Sequence, residues 1–176
     1  MIPYIAAILA GAGIKIVDYI EDELNGKNIW KWPLAIVAGL AMGAVLSLSS
    51  VATLFLAIMA AQVFMGKVDR PAHGLAVGVA VAVPIVMGMQ LNGIELFLPF
   101  FFIAALDEVE FAGILKPMYE YRLWLKGAAL AVGIVSGLWE YFIVLMCFDL
   151  AYLGAGMFME KKAEPEKKEG MGKKKK

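Results

Sequence analysis

The chain has one cysteine, one histidine and few charged side chains, and the first and the last of these scarcities each exclude a class of protein. A single cysteine, Cys147 within an apolar run, excludes an internal disulfide framework and a cysteine-rich metal site. Charged residues make up 18% of the chain and hydrophobic residues 61%, whereas soluble domains average about 25% charged and about 45–50% apolar. Together with a mean hydropathy of +0.75, this predicts an integral membrane protein with no nucleic-acid partner.

Seven apolar segments predict an all-α, polytopic bundle of about seven transmembrane helices, with six as the alternative. They cover residues 2–20, 33–48, 50–66, 73–89, 93–107, 123–138 and 139–159. About 20 residues cross a bilayer, so we expect the fifth and sixth segments to be thin, tilted or partly re-entrant. No basic stretch precedes the first segment, and we interpret it as a spanning helix rather than a secretory signal.

Basic residues lie on one side only of this seven-crossing arrangement. The odd-numbered segments end on a face that receives Lys27, Lys31, Lys67, Arg70, Lys116, Arg122, Lys126 and the lysine-rich tail. Because cytoplasmic loops carry an excess of Lys and Arg, this predicts a multi-pass protein of the cell membrane, with its N-terminus outside and its tail in the cytoplasm. We divide the chain into a helical bundle, residues 1–159, and a Lys/Glu-rich tail, residues 160–176, that is predicted to be disordered.

Ionisable side chains in the apolar segments are the candidate functional residues, since a charge at membrane depth costs about 3 kcal/mol or more unless it is paired or wet. In the first segment, Lys15, Asp18 and Asp22 have i, i+3, i+7 spacing, which places them on one helical face. The two aspartates can present their carboxylates to one hard cation. The alternative is a Lys–Asp ion pair at a solvated helix end.

Residues 66–73 form a polar interruption that contains the only histidine, His73. Asp69 and His73 share a helical face if the fourth helix begins near Asp69. They suit a carboxylate–imidazole pair that binds a metal or transfers a proton, with Lys67 and Arg70 as anion donors. The alternative is an N-cap aspartate and an interfacial histidine.

Two further acidic sites stand out near the C-terminal half of the chain. Asp107 and Glu108 end the fifth segment, where a solvated helix end is the alternative. Asp149 lies about ten residues from either end of the last segment, so it must be protonated, paired or in contact with water. Lys15, recessed to a similar degree in the first segment, is its predicted partner.

The predicted topology brings these acidic residues to the cytoplasmic ends of their helices, and we expect one shared site there. Its carboxylates, from Asp18, Asp22, Asp69, Asp107 and Glu108, suit Mg²⁺ or Mn²⁺. Its basic residues, Lys67, Arg70 and Lys15, suit the phosphate of an amphiphilic substrate. The first hypothesis is therefore a metal-dependent enzyme that acts on a lipid or isoprenoid phosphate, with His73 and Asp69 as catalytic residues.

Two other functions stay open at this point. A small transporter or ion-translocating protein would use Asp149 and Lys15 at depth, with Asp18 on the same side. A non-catalytic membrane subunit would use its polar residues to hold helices together and to bind a partner. Membrane lipids are predicted partners in each case, and a homo-oligomer is left open because the chain is small for a transporter.

Three short motifs carry a resemblance to known families. The DxxxD of Asp18 and Asp22 is similar to the aspartate motifs of intramembrane prenyltransferases of the UbiA type, which also carry a second Asp-rich motif and more helices than this chain supplies. The signature of CDP-alcohol phosphotransferases is absent. Taken together, KxxDxxxD, GKxDxxxH and FDxxY resemble small multi-spanning membrane proteins of archaea, a likeness that implies a helical membrane fold and no particular activity.

Overall fold

The computed structural model describes residues 1–23, 28–48, 50–89, 91–110, 113 and 116–173, with the backbone alone for residues 120, 160 and 162–173. These ranges contain a 3-10 turn, Ile94–Leu96, and no strand, so the all-α prediction is confirmed for them. Eight α-helices are present in the same ranges: α1 Ile2–Asp22, α2 Lys31–Leu48, α3 Ala52–Phe64, α4 Pro71–Met87, α5 Phe97–Leu106, α6 Lys116–Glu120, α7 Leu123–Ser136 and α8 Glu140–Lys173.

Every predicted apolar segment contains one helix, and only the short α6 was not expected. Three segments are long and apolar enough to cross a membrane, namely α1, α2 and Glu140–Met159 of α8. Four more are apolar but shorter: Ala52–Phe64, Pro71–Met87, Ile94–Leu106 and Leu123–Ser136. Length and composition therefore support three crossings, and the number seven stays a prediction.

The helices surround one main core, with α1 packed between α2 and α8. On the two sides of this group, α4 packs against α2, and α7 packs against α5 and α8, while α3 packs against α5. Phe55 and Phe100 are the largest fully buried side chains. The Phe55 ring meets the edge of Phe148 at a centroid distance of 5.6 Å, which ties α3 to α8.

Small residues with the spacing of Gly39 and Gly43 allow the closest approach between α2 and α4. A Cβ on Gly39 would lie 2.6 Å from the Ala76 carbonyl oxygen, and one on Gly43 would lie 2.5 Å from Val83 Cβ. The α2–α4 contact therefore requires glycine at both positions. Gly78, also in α4, has nothing within 4 Å of the position that a Cβ would occupy.

The last helix continues into the Lys/Glu-rich tail as far as Lys173. A helix rich in Lys and Glu with few apolar residues has no core to join, and isolated helices of this kind gain little stability in water. Disorder of residues 160–176 thus stays a prediction. Lys27, which entered the predicted charge distribution, and residues 174–176 lie outside the described residues.

Candidate functional site: a buried charge network at one end of the bundle

Asp18 joins three helices through its two carboxylate oxygens. His73 Nε2 in α4 lies 2.8 Å from Asp18 Oδ1, and the Tyr152 hydroxyl in α8 donates to Asp18 Oδ2 at 2.7 Å. Asp69, whose side chain is 63% exposed, approaches His73 from solvent, with Oδ1 3.9 Å from Nδ1. α4 begins at Pro71 with Arg70 as N-cap, which places Asp69 just outside the helix. The structure thus brings Asp69 and His73 to Asp18.

The Tyr152 ring lies near two cations. The Lys15 ammonium is 4.9 Å from the ring centroid, and the Arg122 guanidinium carbon is 5.7 Å from it. Both distances are within the range of cation–π attraction. Lys15 and Asp18 therefore share a helical face as predicted, but the contact that engages Lys15 is with an aromatic ring of α8.

Glu108 is the centre of a second group of contacts, between α3, α5 and α7. It is buried, and its Oε1 accepts from Arg122 Nη2 at 3.0 Å and from the side-chain amide of Gln62. Lys67 Nζ lies 3.9 Å from the other oxygen. Arg122 adopts the left-handed backbone conformation, with φ 48 and ψ 48, which is uncommon outside glycine. Its contacts with Glu108 and Tyr152 explain why an arginine occupies this position.

Asp107, which directly follows α5, caps the N-terminus of α7. Its Oδ2 accepts from the Leu125 amide at 2.8 Å and its Oδ1 from the Trp124 amide at 3.3 Å. These are amide groups of the first turn of a helix, which lack partners within the helix. The predicted metal ligand is thus a helix cap in this structure.

Asp149 pairs with Lys126 of α7, not with Lys15 as predicted. Both side chains are mostly buried, at 7% and 15% exposed, and Lys126 also donates to the Tyr121 carbonyl oxygen at 2.6 Å. A cavity of about 10 Å³ adjoins the pair, which is room for about one water molecule. Its lining comprises Ile58, Arg122, Leu125, Lys126, Leu145, Phe148 and Asp149.

The predicted ligands do not converge on one metal position. Within the described ranges, no group of three or more His, Cys, Asp or Glu side chains is arranged to hold a metal ion. Asp22 is exposed, Asp107 caps a helix, and Glu108 faces cations. Of the predicted anion donors, Arg70 Nε lies 3.8 Å from Asp69 Oδ2. The prediction of Mg²⁺ or Mn²⁺ gains no support from this geometry.

Sequence reasoning missed the residues that connect these groups: Tyr152, Arg122, Lys126 and Gln62. Two signals were available. Arg122, the N-cap of α7, and Lys126 are four residues apart at the start of that helix, and Asp149 and Tyr152 are three apart on one face of α8. Tertiary packing determines which faces of α7 and α8 meet, and no local sequence pattern indicates those faces.

Comparisons of the chain with protein-family models, curated proteins and solved structures gave no match.

Proposed function

We propose that the protein is an integral membrane protein that translocates an ion, and that the Asp149–Lys126 pair is the ion-responsive site. The observation that carries this proposal is the position of the pair: Asp149 is buried near the middle of the 20-residue apolar stretch Glu140–Met159. Ionisable groups inside a membrane are rare and costly, and they typically mark ion pathways. The proposal adopts the topology predicted from the basic residues, with a cytoplasmic C-terminus.

The unequal helix lengths support a path from one side. α5 has ten residues, which gives a rise of about 15 Å, against a hydrocarbon core of about 30 Å. Its C-terminal end carries Asp107 and Glu108, which lie beside the start of α7. In this proposal, the charged groups lie in a recess between the longer helices α1 and α8, at the level where the short helices end. The exposed Asp69 lies at the edge of this recess.

Apolar and aromatic packing closes the other side. Beyond Asp149, towards the start of α8, Tyr141, Val144, Leu145 and Phe148 are buried. The Phe100 ring stacks on Tyr141 with centroids 5.6 Å apart. A path that is polar at one end and packed shut at the other is the arrangement expected of one state in an alternating-access cycle.

A reconstitution experiment tests the proposal. Liposomes that contain the wild-type protein should carry a current when a proton, Na⁺ or K⁺ gradient is imposed, recorded on a solid-supported membrane. The double variant Lys126→Met/Asp149→Leu, which removes both charges together, should fold and carry none. Asp69→Asn, at the exposed rim, should retain the current because water can replace an exposed carboxylate. A folded wild-type protein that carries no current under any gradient would falsify the proposal.

A second candidate is the enzyme acting on a lipid phosphate, and one observation favours it. Arg70, 51% exposed, lies 3.8 Å from Asp69 beside the Asp69–His73–Asp18 contact, and Lys67, 39% exposed, lies 3.9 Å from Glu108. An anionic headgroup could approach these exposed cations. Incubation with an isoprenoid diphosphate and Mg²⁺ tests it: phosphate release that His73→Gln abolishes, together with an absence of current, would favour the enzyme. If the folded protein shows neither current nor phosphate release, the hypothesis of a non-catalytic membrane subunit is favoured.

A further inference from the structure

The geometry points to a proton, rather than a metal cation, as the ion that Asp149 binds, with a single water in the adjoining cavity as the group that delivers it. This inference rests on the proposed ion translocation and specifies its substrate. It follows from the composition of the cavity wall, from the size of the cavity and from the charges that face it.

The cavity wall offers too few oxygen ligands for a metal ion. Of the described side chains that line it, Asp149 alone carries oxygen. Arg122 and Lys126 carry only nitrogen, and the other four are apolar: Ile58, Leu125, Leu145 and Phe148. Sites for Na⁺ and K⁺ replace the hydration shell with several oxygens, commonly backbone carbonyls from unwound helix segments. The lining residues belong to α3, α7 and α8 or to the N-cap of α7, and α3, α7 and α8 are continuous through them.

The charges around the cavity also disfavour a metal cation. Lys126 and Arg122 both line it, and each already has a carboxylate, since Lys126 pairs with Asp149 and Arg122 with Glu108. A bound Na⁺ would therefore add an uncompensated positive charge in a volume of about 10 Å³. A proton adds the same charge but forms a covalent O–H bond to Asp149, and so needs neither space nor further ligands.

The cavity has the size and polar partners that an ordered water requires. Its volume of about 10 Å³ is close to the lower limit for one water, which also needs two to four polar neighbours. Asp149, Lys126 and Arg122 supply three. A proton from the aqueous side adds to this water, one O–H bond of the water then breaks as an O–H bond forms on Asp149, and the water is left neutral. Protonated Asp149 leaves Lys126 without its counter-ion, and return of the proton to the water restores the ion pair. The Asp149–Lys126 contact is therefore the element that changes between the protonated and the deprotonated state of Asp149.

Ion substitution tests the identity of the ion. In buffer that contains N-methylglucamine as the sole cation, a pH gradient should drive a current through wild-type proteoliposomes, and the double variant Lys126→Met/Asp149→Leu should show none. A Na⁺ or K⁺ gradient at uniform pH should drive none through either. A Na⁺ or K⁺ current that the double variant lacks would overturn the proton inference and leave the proposed ion translocation intact. Absence of current under every gradient would overturn both.

Filling the cavity tests the water. Ile58→Phe places extra volume in the cavity, and we expect it to lower the proton current to the level of protein-free liposomes. Ile134→Phe makes the same substitution at a position of α7 that is 65% exposed and does not line the cavity, and it should retain the wild-type current. Thermal unfolding of both variants measures whether they are folded. If a folded Ile58→Phe protein carries as much proton current as Ile134→Phe, the cavity water does not deliver the proton.

Discussion

Lys126→Met is expected to lower the free energy of unfolding by about 3–5 kcal/mol, because it leaves the buried Asp149 carboxylate without its cation. Asp149 is 5% exposed, and Lys126 provides its ion-pair contact. The loss of the Lys126 hydrogen bond to the Tyr121 carbonyl adds about 1 kcal/mol at most. Chemical unfolding in detergent at neutral pH measures the effect.

The double variant Lys126→Met/Asp149→Leu separates the cost of an unpaired charge from the loss of a contact. Replacing both members of a buried ion pair with apolar residues is often neutral or stabilising by about 1–4 kcal/mol. We therefore expect the double variant to be close to wild type or more stable. Lys67→Met is the control for removal of a lysine, since Lys67 is 39% exposed and 3.9 Å from Glu108, and should change stability by less than about 1 kcal/mol. Equal losses in Lys126→Met and in the double variant would contradict the assignment.

The sequence predicts the helices well because their signal is local. A run of apolar residues between polar turns specifies a helix in a membrane whatever its neighbours are. For the same reason, the start of α4 at Pro71 follows from the dipeptide Arg70-Pro71, since proline suits the first helical turn. The number of crossings does not follow from local sequence in the same way, because α3, α4, α5 and α7 are shorter than the length that normally crosses a bilayer.

The candidate site divides into a part that spacing predicts and a part that packing decides. Asp69 and His73 are four residues apart, so their proximity at the start of α4 is a local property. Their approach to Asp18 was inferred from a shared end of the bundle, and the distance of 2.8 Å agrees with it. The partner of Asp149 was predicted from depth alone, and depth does not distinguish α1 from α7. Lys126 is the neighbour because α7 packs against α8 and places it beside Asp149.

Gly11→Ala is expected to destabilise the protein by about 1–3 kcal/mol, although alanine is the better helix former. A Cβ on Gly11 would lie 2.2 Å from the Phe148 carbonyl oxygen and 3.0 Å from the carbonyl carbon. Both atoms belong to the backbone of α8, so no side-chain rotation can make room, and α1 must move away from α8. Since Phe148 lines the cavity beside Asp149, the same displacement should lower the current in liposomes.

Gly78→Ala is the matched control, because it makes the same substitution in the interior of α4 with nothing within 4 Å of the new carbon. At Gly78 the higher helix propensity of alanine acts alone, and we expect the free energy of unfolding to rise by up to about 1 kcal/mol. The two variants should therefore shift the melting temperature in opposite directions. If both raise it, α1 and α8 are not in contact at Gly11, and the arrangement that brings Asp18 to Tyr152 and closes the network is incorrect.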